Sequence, residues 1–203
     1  MKKYIILLGA ILAVFTYNYL ITGKAEDLQP QIAQKIIRFH VRANSDSRED
    51  QKIKLKVRDE VGAFLEPKLQ GAKNKEDCRR IIEENMEQLV ELSDKVLKKN
   101  KADYVSRARI TWTKFPEKTY GDYTFPKGEY EALQIELGSG AGHNWWCVLY
   151  PNMCFGGSVY QVIDENSKQA LRQVLTQEEY EEVFNGGKTQ FKMKVLEYFG
   201  ISM

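Results

Sequence analysis

Residues 35–61 read KIIRFHVRANSDSREDQKIKLKVRDEV, and two different periods follow one another within them. From Lys35 to Ala43 the residues alternate, with Ile37, Phe39, Val41 and Ala43 in one phase and Arg38, His40 and Arg42 in the other. That predicts a half-buried strand with a polar face. Asn44-Ser45-Asp46-Ser47 supplies helix-starting residues, and Ser47 followed by Asp50 resembles a capping box with the shorter acid. Ile53, Val57, Val61, Phe64 and Leu65 then recur at spacings of three and four, which predicts a helix burying one stripe, closed by Pro67 and Gly71.

Downstream, Asn74 and Asp77 open a second predicted helix with Cys78, Ile81, Ile82, Leu89, Leu92, Val96 and Leu97 on its apolar stripe, ending at Lys98 and Lys99, where cations complement the helix dipole. The period returns to two from Tyr104 to Trp112. Phe115 to Gly128 reads as a long turn, and Glu129 to Leu137 as a strand whose apolar residues change phase, for which a bulge near Ala132 is one account. Gly138 to Gly142 connects to Trp145 to Tyr150, an apolar run expected as a buried strand. Lys168 to Phe184 and Thr189 to Phe199 carry helical spacing, separated by Asn185-Gly186-Gly187. The order implies an α+β fold: a mainly antiparallel sheet with a helical hairpin and C-terminal helices packed on it.

Upstream, Lys2 and Lys3 precede Tyr4 to Ile21, an uncharged and mostly apolar stretch. A basic start followed by an apolar run predicts an export segment with the remainder of the chain outside. The run suits a cleaved signal peptide or an uncleaved anchor, and both readings stand. Residues 1–25 are therefore expected to be a signal peptide or N-terminal membrane anchor, 26–34 a linker, and 35–203 a single exported domain. The chain has 203 residues with 43% hydrophobic and 29% charged, which excludes disorder and leaves ample material for a core. Without Lys2, Lys3 and Lys24, its 30 basic residues fall to 27 against 28 acidic. So balanced a body is not expected to bind nucleic acid, which clustered Lys and Arg would attract.

Only two histidines are present, His40 and His143, which argues against a metal site, and no cofactor is expected. His143 and Cys147 lie four apart near a glycine-rich loop, an arrangement that a cysteine-dependent hydrolase would use if the imidazole lowered the thiol pKa. Cys147 and Cys154 would face one another across a hairpin centred on Tyr150 and Pro151; a disulfide and two buried thiols are both compatible with that spacing. Cys78, on an apolar stripe, reads as an inert core thiol, and the glutamates at 178, 179, 181 and 182 as a solvated helix face. The candidate partner-binding residues are Arg38, His40, Arg42, Asn44 and Asp46, the most polar constellation in the chain, with Trp145 and Trp146, which as neighbours on a strand point to opposite faces.

Two blocks carry a resemblance. Arg38 to Ser47, continuing through Asp50-Gln51 to Lys54-Leu55-Lys56-Val57-Arg58-Asp59, and Gly142 to Pro151 with Cys154-Phe155, resemble the H-V-x-A-N-S-D and N-W-W-C-V-x-Y-P patterns of the stage II sporulation protein R family. The similarity extends from about Lys35 to Tyr160 and says little about the C-terminal helices. It implies a signal protein exported from the forespore into the intermembrane space. There it would activate an integral-membrane aspartic protease that processes the sigma-E precursor, acting as a ligand and not as an enzyme. An exported cysteine-dependent hydrolase of the cell wall is the alternative.

Overall fold

The computed structural model describes residues 9, 11–17, 28–151, 153 and 165–184. Residues 11–17 are helical, with Ile11, Leu12, Val14, Phe15 and Tyr17 exposed. Among the described residues no helix is long and apolar enough to cross a membrane.

The predicted first strand is β1 (Ile37–Arg42), and Ser47 opens α2 (Arg48–Leu69) as its spacing required: the Ser47 hydroxyl accepts from the Asp50 amide at 3.1 Å. Before β1, the stretch read as a linker contains a helix, α1 (28–35). Two turns of helix do not hold in water alone. Ile32 and Ile36 are fully buried, and each contributes about 1.5–3 kcal/mol by leaving solvent, which anchors the segment.

Asn74 caps α3 (Lys75–Glu84) by accepting from the Asp77 amide at 2.8 Å. The single helix expected from Asn74 to Lys98 is in fact two, α3 and α4 (Met86–Lys99), meeting at Asn85. The Asn85 side chain donates to the Ile81 carbonyl at 2.7 Å, competing with the helix's own ladder at the break.

β2 (Ser106–Phe115) and β5 (Gly128–Leu137) pair antiparallel without a slip, so no bulge is needed at Ala132. Apolar residues occupy both phases of β5 because both of its faces are covered. The presumed long turn between them holds a hairpin, β3 (Lys118–Tyr120) and β4 (Tyr123–Phe125), forming its own two-stranded sheet. β6 (Asn144–Tyr150) is the expected buried strand. The main sheet has the order β2-β5-β1-β6, in which β1 runs parallel to β5 and antiparallel to β6. Two further helices, α5 (Glu165–Val174) and α6 (177–184), divide the segment predicted as one helix; Thr189 to Phe199 lies outside the described residues.

The fold is α+β with two cores. On one face Phe39, Val41, Leu133, Ile135, Trp145 and Leu149 pack under the stripes of α2, α3 and α4. On the other, α1, the β3–β4 hairpin and helices α5 and α6 cover Phe115, Tyr130, Ala132 and Val148.

Candidate partner-binding face and the loop network beside it

Strand pairing sets three rows of side chains across this second face. Arg38 stands beside Ala132 and Val148, His40 beside Gln134 and Trp146, and Arg42 beside Glu136 and Asn144. Arg107 and Arg109 extend the rows on β2, opposite Glu136 and Gln134.

The polar phase of β1 is largely enclosed, contrary to the solvent-facing role expected of it. Arg38 is 0% exposed. Its Nε donates to the Cys147 carbonyl and one terminal nitrogen to the Tyr120 hydroxyl, both at 3.0 Å. The guanidinium carbon lies 4.4 Å from the Phe115 ring centre, 5.1 Å from Tyr130 and 5.2 Å from Phe125, an aromatic box that returns part of the lost hydration through cation–π attraction. Nη1 is buried without a hydrogen bond. Arg38 is therefore an interior group and not a partner contact.

His40 is also buried, stacked on Trp146 and edge-on to Phe115. Burial pushes its pKa down to about 4, and the charges of Arg42, Arg38 and Arg109 push the same way; the Asn144 side chain opposes them. Neither ring nitrogen has a hydrogen bond of good geometry, so the Asn144 contact is a loose one.

Beyond His40 the face opens. The Arg42 Nη1 donates to Glu136 Oε2 at 3.2 Å, while Arg107 and Arg109 approach the same carboxylate at 3.9 and 3.7 Å, too far for hydrogen bonds. Arg107 and Arg109 were not among the residues singled out from sequence. They read there as ordinary charges of an alternating strand, and only the pairing of β2 with β5 brings them to Arg42.

Where β1 and β5 end side by side, their loops interlock. Asn44 donates to Asp50 Oδ2 at 3.0 Å and accepts from the Ser139 amide at 3.0 Å. Asp50 also accepts from the Ser45 and Tyr104 hydroxyls, each at 2.5 Å. Burial works against the Asp50 charge, but these donors prevail and hold its pKa below the usual carboxylate range. Asp46 accepts from the His143 amide at 2.5 Å and from the His143 ring, and the amide bond is the main reason its pKa is lowered. Two glycines permit the approach. A Cβ on Gly142 would sit 2.2 Å from the Ser45 carbonyl oxygen, and Gly138 has φ +57° with Asn44 Oδ1 2.3 Å from where its Cβ would be. Asn44 and Asp46 thus tie the N-terminal block to the block beginning at Gly142.

The model of the stage II sporulation protein R family matches residues 33–161, which include every strand of both sheets. The chain belongs to that family. It is 35% identical over 158 residues to stage II sporulation protein R of Bacillus subtilis (strain 168), covering 75% of this chain and 70% of the relative. No solved structure matches it. In this family member the two recognition blocks lie together, since β1 and β6 pair along their length and their following and preceding loops share hydrogen bonds.

Trp145 and Trp146 do point to opposite faces. Trp145 is 5% exposed, edge-on to Phe39 at 5.3 Å and with the Arg58 guanidinium 5.3 Å from its ring, so it is a core residue and not a partner anchor. Trp146 remains half-buried on the second face. Cys147 is buried and disulfide-bonded, whereas Cys154 lies outside the described residues. Cys78 is a free, buried thiol whose pKa burial raises to about 12. Among the described residues no group of His, Cys, Asp and Glu is placed to hold a metal ion. Glu179, read as part of a solvated face, is 1% exposed: it pairs with Lys35 at 2.6 Å and accepts from the Thr176 amide at 2.7 Å at the start of α6.

Proposed function

We propose that this chain is an exported signal of sporulation that passes from the forespore into the intermembrane space. There it binds an integral-membrane aspartic protease, and the activated protease processes the sigma-E precursor. Its N-terminal segment either serves as a signal peptide or keeps the body at the membrane. The mechanism is differential affinity: a ligand that fits the active arrangement of its receptor better than the inactive one shifts the population toward it.

The observation that carries this reading is the convergence of the two family blocks into one rigid rim, formed by Asn44, Asp46, Asp50, Ser139 and His143, beside an open polar face. The hydrolase alternative finds no support in the same geometry. Its thiol is consumed in a disulfide and buried, and its imidazole is held by Asp46.

The test is reconstitution. The full chain, the membrane protease and the sigma-E precursor are produced together in a host with no other sporulation protein, and precursor cleavage is followed by its change in mass. Cleavage that depends on the chain is expected. No cleavage, or release of fragments from purified peptidoglycan by the chain alone, overturns the reading.

A further inference from the structure

The open half of the second sheet face holds three guanidinium groups around one carboxylate. Arg42, Arg107 and Arg109 have side chains 36%, 69% and 50% exposed, and Glu136 is 14% exposed. Two positive charges are left over, in a body that is otherwise near neutrality. Their arrangement is not that of scattered surface charges, which would turn toward separate acids. Arg42 is on β1 and Arg107 and Arg109 are on β2, on either side of Glu136 in β5, and the pairing of these three adjacent strands fixes their spacing.

Among the described residues the donors of this cluster find few acceptors. Arg42 spends one nitrogen on Glu136, and its Nε is buried without a hydrogen bond. Arg107 and Arg109 reach Glu136 only at ion-pair distance. A guanidinium presents five N–H donors in a planar fork that matches a carboxylate, and the Arg42–Glu136 contact shows that a carboxylate already seats here. A lysine patch would attract negative charge without that shape.

We propose that this face, Arg42, Arg107 and Arg109 with the exposed Asn144 and the half-buried Trp146 at its margin, is the docking site for an acidic segment of the activated membrane protein. The proposal rests on the reading of the chain as a protease-activating ligand. Charge complementarity selects the occupant, a peptide carrying Asp or Glu side chains spaced to meet Arg107 and Arg109. A membrane surface fits less well. Insertion calls for several apolar anchors beside the cations, and among the described large apolar side chains that are exposed in the folded body, Trp112 lies on the opposite face of β2 and Leu55 is on α2, which leaves Val105, just before β2, as a lone anchor near the arginines.

The experiment uses the full chain with the membrane protease and precursor. Arg107→Glu combined with Arg109→Glu is expected to slow precursor cleavage by about tenfold or more, because like charges across an interface repel and wrong pairing is costly. Arg107→Gln combined with Arg109→Gln, which adds no repulsion, is expected to lower it in the same direction and serves if the first variant does not fold. Lys98→Glu combined with Lys99→Glu makes the same charge change at the end of α4 and is expected to leave the rate within about twofold. Vesicles of phosphatidylglycerol and phosphatidylcholine are expected to bind the wild-type chain and the arginine variants alike. Cleavage unchanged in both arginine variants overturns the proposal alone. Vesicle binding that is lost with the two arginines also overturns it, in favour of a lipid surface. A wild-type chain that triggers no cleavage overturns the functional reading together with the occupant drawn from it.

Discussion

The imidazole of His40 lies flat on the indole of Trp146, ring centres 3.7 Å apart and planes 16° apart, with Phe115 set edge-on against both rings. Stacking of this kind keeps the ring out of water, and a protonated imidazole there would also face Arg42, Arg38 and Arg109. The folded state therefore holds His40 neutral down to about pH 4, whereas the unfolded chain protonates it near 6.5.

Below pH 6.5 the unfolded state binds a proton that the folded state refuses, so stability falls as pH drops from 6.5 toward 4, by about 3 kcal/mol across that interval. Asp46, Asp50 and Glu179, whose pKa values are lowered, lose stability on acidification too. His40→Gln keeps those carboxylates and removes only the histidine. Urea unfolding at pH 7, 5.5 and 4.5 should show a shallower loss in the variant; parallel curves would refute the buried neutral state.

Arg38 gives a test of how a buried cation without a charged partner is tolerated. Arg38→Met keeps most of the volume inside the aromatic box and removes the desolvation cost, so it is expected to lie within about 1.5 kcal/mol of wild type. Arg38→Ala leaves a cavity among Phe115, Phe125 and Tyr130 and is expected to cost about 3 kcal/mol. Equal losses in the two variants, read by urea midpoints, would mean that the guanidinium's hydrogen bonds dominate over its volume.

Asp50 is the hub of the loop network, taking donors from Asn44, Ser45 and Tyr104. Asp50→Ala is expected to destabilise by about 2–4 kcal/mol, since it strands three donors at once, and Tyr104→Phe by about 1.5 kcal/mol. The double variant should cost less than the sum. Strict additivity in that cycle would show that the phenol and the carboxylate do not interact.

Glu179 fastens the C-terminal helices to the start of the domain through Lys35 and caps α6 through Thr176. Glu179→Ala is expected to raise amide exchange across 165–184 by about tenfold or more while leaving β1 and β5 protected. Uniform acceleration over the whole chain would indicate a single cooperative unit instead.

The elements were legible in proportion to how local their causes are. Ser47 with Asp50 and Asn74 with Asp77 announce helix starts because a cap needs only residues three apart. The alternation from Ile37 to Arg42 predicts a strand, but not the fate of its polar phase. What encloses Arg38 is Tyr120 and Phe125, brought by a hairpin some eighty residues later, where prolines and glycines concealed two short strands. Glu179 misled in a similar way: four glutamates in five positions look solvated, and the one that is buried is distinguished by its cap with Thr176, three residues before it, and by Lys35 from the far end of the domain. At the site, Asn44 and Asp46 were recognisable as special but their partners, Ser139 and His143, were not, because those contacts cross nearly a hundred positions. Arg107 and Arg109 gave no signal; their meaning arises from register alone.

The placement of β1 between β5 and β6 means that the earliest strand to emerge from the ribosome acquires both of its neighbours from residues 128–150. Until that late portion arrives, the main sheet lacks its central pairings and the polypeptide has no way to lock shut. Any machine that must thread this molecule through a narrow passage meets a pliable polymer for most of its synthesis, and closure of the sheet is deferred until Tyr150 of the 203 residues has been delivered.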